Sequence, residues 1–549
     1  MVMQSHRSGQ APPMRYSGRA DMQQHHIIHS DDGRPSSWTG PAASAIFAVL
    51  LVLVVLPALI RPAEFFQDDS YFYLQVARNI VDGLGSTFHG ITPTNGYHPL
   101  WMAGAVAAMF LADGDKIAAL HLVVLMQAAM ALGVALLFNR LARAMGLEHG
   151  LAGIAVILSY LLGTSLYGSE AHLNALTLVA GIAALWHALA NDRPRDWFAT
   201  GLLCGLAILA RLDNVFVVAG LCGLGVMHDH ERSLARITRR ATAAGLGGAI
   251  VVAPYLACNW LQYGHLMPIS GAIKSTFPAF DFDFDRLGAM GKLATPFGVV
   301  ALIIGLFLDR DRRRRVVWCG LGAGVVAHAL YVVGFTDHYT FWAWYYVSGV
   351  LAAGFSAAYL PGWLAHRPGA ARIGSSLRPL VFALTLLMLL GGAARAWLKA
   401  FNPIRVGAVT VNVPINEYRW PEEFALWMKA RLPPGSIVFV YDWPGATAYY
   451  SDLRILPRDG LMSDFRYNDE LLALGPTRYL CAHDVKFFLG LIDDDAATRE
   501  VVVDAPLYRR AAGTLSLRED ALVVKTRDVV SRPGEALPFA IWRIECPTS

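Results

Sequence analysis

Long apolar runs separated by polar segments dominate the chain from residue 42 onward, and they restrict its fold more than any other feature. The first run covers about residues 42–60 and ends at Arg61. A helix needs roughly 20 apolar residues to cross a bilayer, and this run is long enough. Charged residues make up only 16 % of the chain, whereas a soluble domain carries about 25 %. The pattern predicts an all-α polytopic membrane domain over residues 42–397.

The two ends of the chain have a different composition. Residues 1–41 are polar and rich in His, Ser and Arg, which predicts a disordered cytoplasmic tail. Residues 398–549 contain short alternating runs such as SIVFVYD and FAIWRIE, with helix-like segments between them. This region predicts a small periplasmic α/β domain. Its two cysteines, Cys481 and Cys546, could pair if the domain lies outside the cytoplasm.

The segment His98–Leu111 decides the membrane topology. It is apolar, but its length of about 14 residues is marginal for a span. If it does not cross, five clusters of Arg fall on one side of the membrane, which the positive-inside rule identifies as the cytoplasm. We therefore expect a membrane-dipping helix in the first external loop, about eleven transmembrane helices, a cytoplasmic N-terminus and a periplasmic C-terminal domain.

The same topology places the most polar loops on the outer face. Asp68 and Asp69 open the first of them, and Glu170 lies in the second. One carboxylate could act as a general base on a hydroxyl group, or two could hold a divalent cation. Alternatively, Asp68 caps the helix that follows and Asp69 interacts with the dipole of its first turn.

Two cations on the outer face are candidate phosphate ligands, namely Lys274 and Arg211. Lysine binds phosphate as a point charge, and arginine binds it through two parallel hydrogen bonds. Arg211 could instead pair with Asp213 and close a break between two short apolar runs. Lys274 could be an ordinary surface residue in a loop.

Aromatic side chains also gather on this face. Trp344 and Tyr345 could stack on the faces of a sugar, although membrane proteins carry aromatic residues at both interfaces in any case. In the first loop, Pro99 follows His98 and favours the first turn of the dipping helix.

The string DDSYFYLQVARNIVDGLGSTFHGITPTNGYHPLW in the first loop resembles the corresponding loop of bacterial GT-C superfamily glycosyltransferases. The resemblance continues in YGSEAHLN, GLAILARLDN, NWLQYGHLMPISGAIKS and VFVYDWPGATAYYSDLRILPRDGL, and so it covers most of the chain after the tail. The HPL element is also similar to that of protein O-mannosyltransferases and lipid A aminoarabinose transferases.

This resemblance implies an acid of the first loop at the reaction centre, which Asp68 or Asp69 matches. Glu170 matches the second-loop acid, where many members have Asp, and Asp69 with Glu170 would be the metal ligands if a divalent metal takes part. The remaining expected contacts are to substrate, and the residues are Lys274, Arg211, His98, Asn95, Tyr97, Trp344 and Tyr345.

The expected activity is transfer of a monosaccharide from a polyprenyl-phosphate carrier to a hydroxyl group, with inversion, at the periplasmic face of a bacterial inner membrane. The acceptor would be a glycan, a lipid or a protein, and no nucleic acid is expected as a partner. Two alternatives are a phospho-group transferase and a non-enzymatic transporter or assembly subunit for cell-envelope glycans. A transporter should carry ionisable residues within its spans, and only Arg211 with Asp213 fits that description.

Overall fold

A computed structural model describes residues 41–163, 166–228, 233–337, 341–367, 371–401, 419–440, 444–491, 500–518, 522–523 and 539–547. The predicted cytoplasmic tail lies outside these residues, apart from Pro41. So does the segment 402–418, near the start of the predicted C-terminal domain.

The membrane domain is built from helices. Their bounds are α1 Pro41–Ile60, α2 Asp68–Val81, α3 Pro99–Leu111, α4 Lys116–Ala144, α5 Gly150–Gly163, α6 Ala171–Asn191, α7 Pro194–Ala210, α8 Val215–Val226, α9 Leu234–Tyr263, α10 Ile269–Lys274, α11 Gly288–Ile303, α12 Arg312–Phe335, α13 Val347–Ala365 and α14 Ala371–Phe401. Helix α14 therefore continues past residue 397, the predicted end of this domain.

Seven helical stretches of the described residues are long and apolar enough to cross a membrane: Lys116–Ala144, Ala171–Asn191, Leu234–Tyr263, Phe284–Leu308, Arg312–Phe335, Ala343–Ala365 and Ala383–Phe401. Shorter apolar helices lie at Pro99–Leu111, Gly150–Leu162 and Leu212–Val226. The all-α polytopic membrane domain is confirmed, and about eleven spans stays a prediction.

The structure contains the short helix and the helix break that the sequence indicates. Helix α3 has 13 residues, which span about 20 Å, less than the roughly 30 Å of a bilayer core. Its dipping position remains a prediction. The break at Arg211 is present, because α7 ends at Ala210 and a 3₁₀ turn, Leu212–Asn214, precedes α8.

Close backbone contact holds α7 against α9. A Cβ atom on Gly201 would lie 1.8 Å from the carbonyl oxygen of Ala244, and one on Gly247 would lie 2.1 Å from that of Phe198. Small residues allow this approach, which provides van der Waals packing where lipid supplies no hydrophobic driving force.

The C-terminal domain is an α/β unit, as predicted. Its helices are α15 Arg419–Arg431, α16 Pro444–Ser451, α17 Phe465–Leu474 and α18 Pro476–Ala482, and its strands are β1 Ile437–Val440, β2 Arg454–Pro457, β3 Val485–Leu491, β4 Glu500–Ala505, β5 Arg510–Ser516, β6 Leu522–Val523 and β7 Phe539–Arg543. The sheet order is β2-β1-β3-β7-β6, and β4 pairs with β5 separately. Strands β1, β2 and β3 run parallel, and β7 is antiparallel to β3 and β6.

Buried side chains and a disulfide hold this domain together. Phe439 lies opposite Leu456 and Phe488 in the sheet, and all three are buried. Cys481 and Cys546 form a disulfide with a Cα–Cα distance of 5.8 Å, so the two cysteines pair as anticipated.

Charged contacts fasten the C-terminal domain to the first loop and to α4. Asp452 accepts hydrogen bonds from Arg78 at 2.7 Å and from Lys116 at 2.5 Å, and it also contacts Lys429. These cations lower the pKa of Asp452, whose burial alone would raise it. Arg454 donates to the backbone oxygen of His89 at 2.9 Å. The domain is therefore packed directly against the loop that carries the paired acids.

Candidate active site at the boundary of two cavities

A small polar cavity of about 70 Å³ lies where the first loop, the second loop and the C-terminal domain meet. Seven of the side chains selected from the sequence line it: Asp69, His98, Glu170, Arg211, Lys274, Trp344 and Tyr345. Residues separated by more than 270 positions in the chain thus converge on one small volume.

Backbone pairing aligns the first and second loops. Phe66 forms an isolated parallel bridge with Tyr167, and the hydroxyl of Ser70 donates to the carbonyl of Tyr167 at 3.0 Å. Gln127, fully buried in α4, donates to Ser169 at 2.7 Å and accepts from the N–H of Gly168 at 2.9 Å. These contacts bring the start of α2 beside the start of α6.

Gly168 allows this close approach. Its φ of +82° lies in the left-handed region, and a Cβ atom there would come within 2.5 Å of the Cβ atom of Ser70. A side chain at this position would therefore be strained and would push the two loops apart.

The two adjacent acids have different surroundings. The carboxylate of Asp68 accepts hydrogen bonds from the backbone N–H groups of Gly445, at 3.1 Å, and Ala446, at 2.8 Å. These are at the N-terminus of α16, so Asp68 caps a helix of the C-terminal domain. It does not cap its own helix, which begins at Asp68 after Gln67 without a side-chain cap. Asp69 instead lines the polar cavity.

The surroundings of Asp69 make it more basic. Burial raises the pKa of this carboxyl above its ordinary value, the positive charge of Lys274 opposes the rise, and Glu170 adds to it. A carboxylate with a raised pKa holds an abstracted proton more firmly than an exposed one, which suits a general base.

Glu170 is buried and both of its oxygens are engaged. Oε1 makes an ion pair with Arg211 and lies 3.8 Å from Nε2 of His98, and Oε2 accepts a hydrogen bond from Tyr73 at 3.2 Å. The described residues contain no group of three or more His, Cys, Asp or Glu that could hold a metal ion. Each oxygen of Glu170 therefore already faces an arginine, a histidine or a tyrosine, and the role of Asp69 and Glu170 as metal ligands stays a prediction.

Arg211 connects several of these groups. It is 1 % exposed and donates to Asp213 at 2.9 Å, and Asp213 in turn lies 3.2 Å from Nε2 of His328. Its guanidinium carbon lies 3.8 Å from the ring centre of Tyr345. The predicted Arg211–Asp213 pair is present, and it forms part of a larger charged network.

Lys274 contacts the same tyrosine. Its Nζ atom donates to the hydroxyl of Tyr345 at 3.0 Å. Burial would lower the pKa of Lys274, but Tyr345 and Asp69 more than compensate, and the net shift is upward. Lys274 therefore stays charged.

A second, larger cavity of about 260 Å³ adjoins the first and is mainly apolar. Its apolar lining includes Val215, Phe216, Met267, Val332 and Phe341. The two cavities share five residues: His98, Arg211, Ser270, Lys274 and Tyr345. Both cations therefore stand at the boundary between a polar compartment and an apolar one.

Two residues expected at the substrate lie outside the lining of both cavities. Asn95 is buried and accepts from the N–H of Ile269 at 3.1 Å, and its amide donates to Asn259 at 3.2 Å. Tyr97 shares a hydrogen bond of 2.7 Å with Ser86. Asn95 thereby fastens the first loop to α10, the helix that carries Lys274.

Solved structures of other proteins have a similar architecture. No family model matches this chain, and no curated protein matches it in sequence. The structure is similar to ArnT from Cupriavidus metallidurans bound to undecaprenyl phosphate, with a TM-score of 0.54 and 13 % sequence identity over 86 % of this chain and 98 % of that one. This protein has the GT-C fold. It is also similar to AglB from Archaeoglobus fulgidus in complex with an inhibitory peptide and a dolichol-phosphate, with a TM-score of 0.48 and 11 % identity over 82 % and 70 % of the two chains.

Sequence reasoning missed some residues of this candidate site. Tyr73 lies four positions after Asp69, and residues four apart share one face of a helix, so its position could have been inferred. Leu461 and Met462 also line the polar cavity. Nothing in their sequence indicated this, because they reach the site only through the packing of the C-terminal domain. A Cβ atom on Gly96 would lie 1.9 Å from the oxygen of Leu461, so this contact is tight.

Proposed function

We propose that this protein transfers a monosaccharide from a polyprenyl-phosphate carrier to an acceptor hydroxyl group, with Asp69 as the general base. One observation carries the proposal: Lys274 and Arg211 stand where the polar cavity that contains Asp69 meets the apolar cavity. An amphipathic donor with an apolar chain, one phosphate and one sugar matches this order of surfaces.

The donor would lie across both cavities. Its isoprenoid chain would occupy the apolar one, its phosphate would face Lys274 and Arg211, and its sugar would enter the polar one. Three N–H groups of Arg211 are engaged by Asp213 and Glu170, and arginine has five, so two remain for a phosphate. The structurally similar ArnT is bound to undecaprenyl phosphate, which supports this class of donor.

Asp69 would accept the proton of the acceptor hydroxyl as its oxygen attacks the anomeric carbon. The bond between that carbon and the phosphate oxygen would break, and its electron pair would leave with the polyprenyl phosphate. Negative charge grows on the departing phosphate, so Lys274 and Arg211 would stabilise the transition state more than the bound donor. A single displacement of this kind inverts the anomeric configuration.

The acceptor would approach past the C-terminal domain, because Leu461 and Met462 form part of the polar cavity. The disulfide between Cys481 and Cys546 supports an oxidising location for this domain, since such bonds are rare in the cytoplasm. We therefore infer a multi-pass protein of the bacterial inner membrane with a periplasmic C-terminal domain. The acceptor is a glycan, a lipid or a protein.

The test uses the purified full-length protein in liposomes with undecaprenyl-phosphate-linked radiolabelled sugars and a membrane extract as acceptor. Transfer of label is expected with one sugar, and Asp69→Asn should abolish transfer while binding of undecaprenyl phosphate persists. Wild-type transfer rates in a well-folded Asp69→Asn protein would refute the assignment of the base.

One observation favours a second function, that of a transporter for envelope glycans. The short helices α7 and α8 meet at a buried charged network formed by Arg211, Asp213 and His328. Interrupted helices with buried ionisable groups are typical of transport sites. A protein that moves labelled lipid-linked sugar across liposomes without releasing polyprenyl phosphate would support this alternative.

A further inference from the structure

Four phenylalanine side chains project from the segment between α10 and α11. We call residues 277–284 the phenylalanine loop. Its phenylalanines are each more than half exposed: Phe277 by 69 %, Phe280 by 67 %, Phe282 by 61 % and Phe284 by 54 %. Large exposed apolar patches of this kind mark interaction sites.

The backbone of this segment is held in place by hydrogen bonds. Three of its N–H groups donate to carbonyls at the C-terminus of α12: Thr276 to Phe335 at 2.9 Å, Asp281 to Gly334 at 2.9 Å and Asp283 to Val333 at 2.8 Å. The last carbonyls of a helix have no partner within that helix, so these bonds satisfy both elements. The exposed rings are therefore presented on a fixed frame.

The phenylalanine loop lies at the level where two spans end. One membrane-spanning stretch begins at Phe284 and another ends at Phe335, and the loop is bonded to the end of the second. This is the depth of the membrane interface, where aromatic side chains are favoured.

The acidic residues that alternate with the phenylalanines are paired with two cations. Asp281 lies 2.5 Å and Asp283 3.7 Å from the buried Arg286, and Asp285 lies 2.5 Å from Lys292. Unpaired carboxylates would repel the segment from the bilayer, since charge is costly there. With Arg286 and Lys292 as partners, the three carboxylates leave a net charge of −1 instead of −3, which lowers the cost of placing the rings in the interface.

Aromatic contacts lead from the loop to the apolar cavity. The rings of Phe277 and Phe280 lie 5.7 Å and 5.5 Å from that of Phe335, and Phe335 lies 6.5 Å from Tyr331. Tyr331 lines the apolar cavity. The loop is therefore continuous with one wall of the compartment assigned above to the isoprenoid chain.

We propose that the phenylalanine loop inserts into the lipid interface beside the apolar cavity and guides the isoprenoid chain from the bilayer into the site. The partner is the lipid layer itself. The guiding role rests on the proposed function, whereas the insertion does not.

Insertion is tested without any activity measurement. A nitroxide is attached at Phe282→Cys in a Cys258→Ser background, and the protein is placed in liposomes of phosphatidylethanolamine and phosphatidylglycerol. Higher accessibility to oxygen than to a water-soluble nickel complex is expected, as for a lipid-embedded site. Higher accessibility to the nickel complex than to oxygen would overturn the proposal. That result would mean that water, an acceptor or the remainder of the chain covers the loop in place of lipid.

The guiding role is tested by the paired change Phe280→Ser with Phe282→Ser. In liposomes, the KM for a long-chain donor should rise about tenfold, equivalent to about 1.4 kcal/mol, with kcat unchanged. A short-chain donor in detergent should show no change, and Phe280→Leu with Phe282→Leu should restore the KM. The matched control is Phe307→Ser, a residue 77 % exposed outside the loop. An equal change in KM for both donors, or no change for either, would overturn the guiding role. Absence of any transfer by the wild-type protein would contradict the proposed function, and the nitroxide result would still decide whether the loop inserts.

Discussion

Replacing Asp68 should have a different effect from replacing its neighbour Asp69. The Asp68 carboxylate accepts hydrogen bonds at 3.1 Å and 2.8 Å from Gly445 and Ala446 at the start of α16. Hydrogen bonds to a charged group contribute roughly 1.5–3 kcal/mol each, and partial exposure of Asp68 reduces this. Asp68→Ala should therefore weaken the attachment of α16 to α2 by about 2–4 kcal/mol, and Asp68→Asn, which keeps one acceptor oxygen, by about half as much.

The assay combines thermal unfolding, limited proteolysis of the C-terminal domain and transfer kinetics. Asp68→Ala should expose the domain to protease and lower kcat, because Leu461 and Met462 would no longer be held at the polar cavity. The KM for the donor should change little, since Lys274 stays in place. Asp69→Asn should resist protease as the wild type does and should transfer nothing.

Asp452→Ala serves as a matched control for Asp68. It removes two cation contacts across the same interface, those of Arg78 and Lys116, and one within the domain, that of Lys429. Gly445→Ala should reproduce the Asp68→Ala effect, because its Cβ atom would lie 2.2 Å from the backbone oxygen of Asp68. The reasoning fails if Asp68→Asn abolishes transfer in a protease-resistant protein while Asp69→Asn remains active.

Three further predictions follow from the charges and the disulfide. The acid limb of kcat/KM should lie above the ordinary aspartate pKa of about 4, because burial raises the pKa of Asp69 and transfer needs its ionised form. In pH–rate profiles, Lys274→Ala should move this limb to higher pH, because Lys274 lowers the pKa of Asp69. Glu170→Gln should move it to lower pH, because Glu170 raises that pKa. Lys274→Ala should weaken donor use about 100-fold in a folded protein. Arg211→Ala should also lower the unfolding temperature, because it removes the arginine from the buried carboxylate of Glu170 and from the half-buried carboxylate of Asp213. Cys481→Ser should destabilise the C-terminal domain by roughly 3–4 kcal/mol, since the disulfide closes a separation of 65 residues, and a denaturant titration that showed no loss would contradict this.

The sequence was sufficient for the architecture. Apolar length and low charge predicted the helical membrane domain, and alternation predicted the α/β domain, because each depends on local composition and periodicity. Several polar side chains selected from the sequence also converge in the structure. Asp69, Glu170, Arg211, Lys274 and Tyr345 all line one cavity, since topology brings the ends of neighbouring helices to one face.

Only the tertiary structure decided what each polar side chain does. Adjacent residues on a helix point about 100° apart, and which of Asp68 and Asp69 faces the cavity depends on α16, 377 positions away in the chain. The sequence also did not indicate that the oxygens of Glu170 contact Arg211 and Tyr73. Hydropathy and charge patterns are read along the chain, and they determine which segments enter the membrane. Hydrogen-bond partners are set across the fold, so packing over distances that no local pattern records decides which carboxylate caps a helix and which lines the cavity.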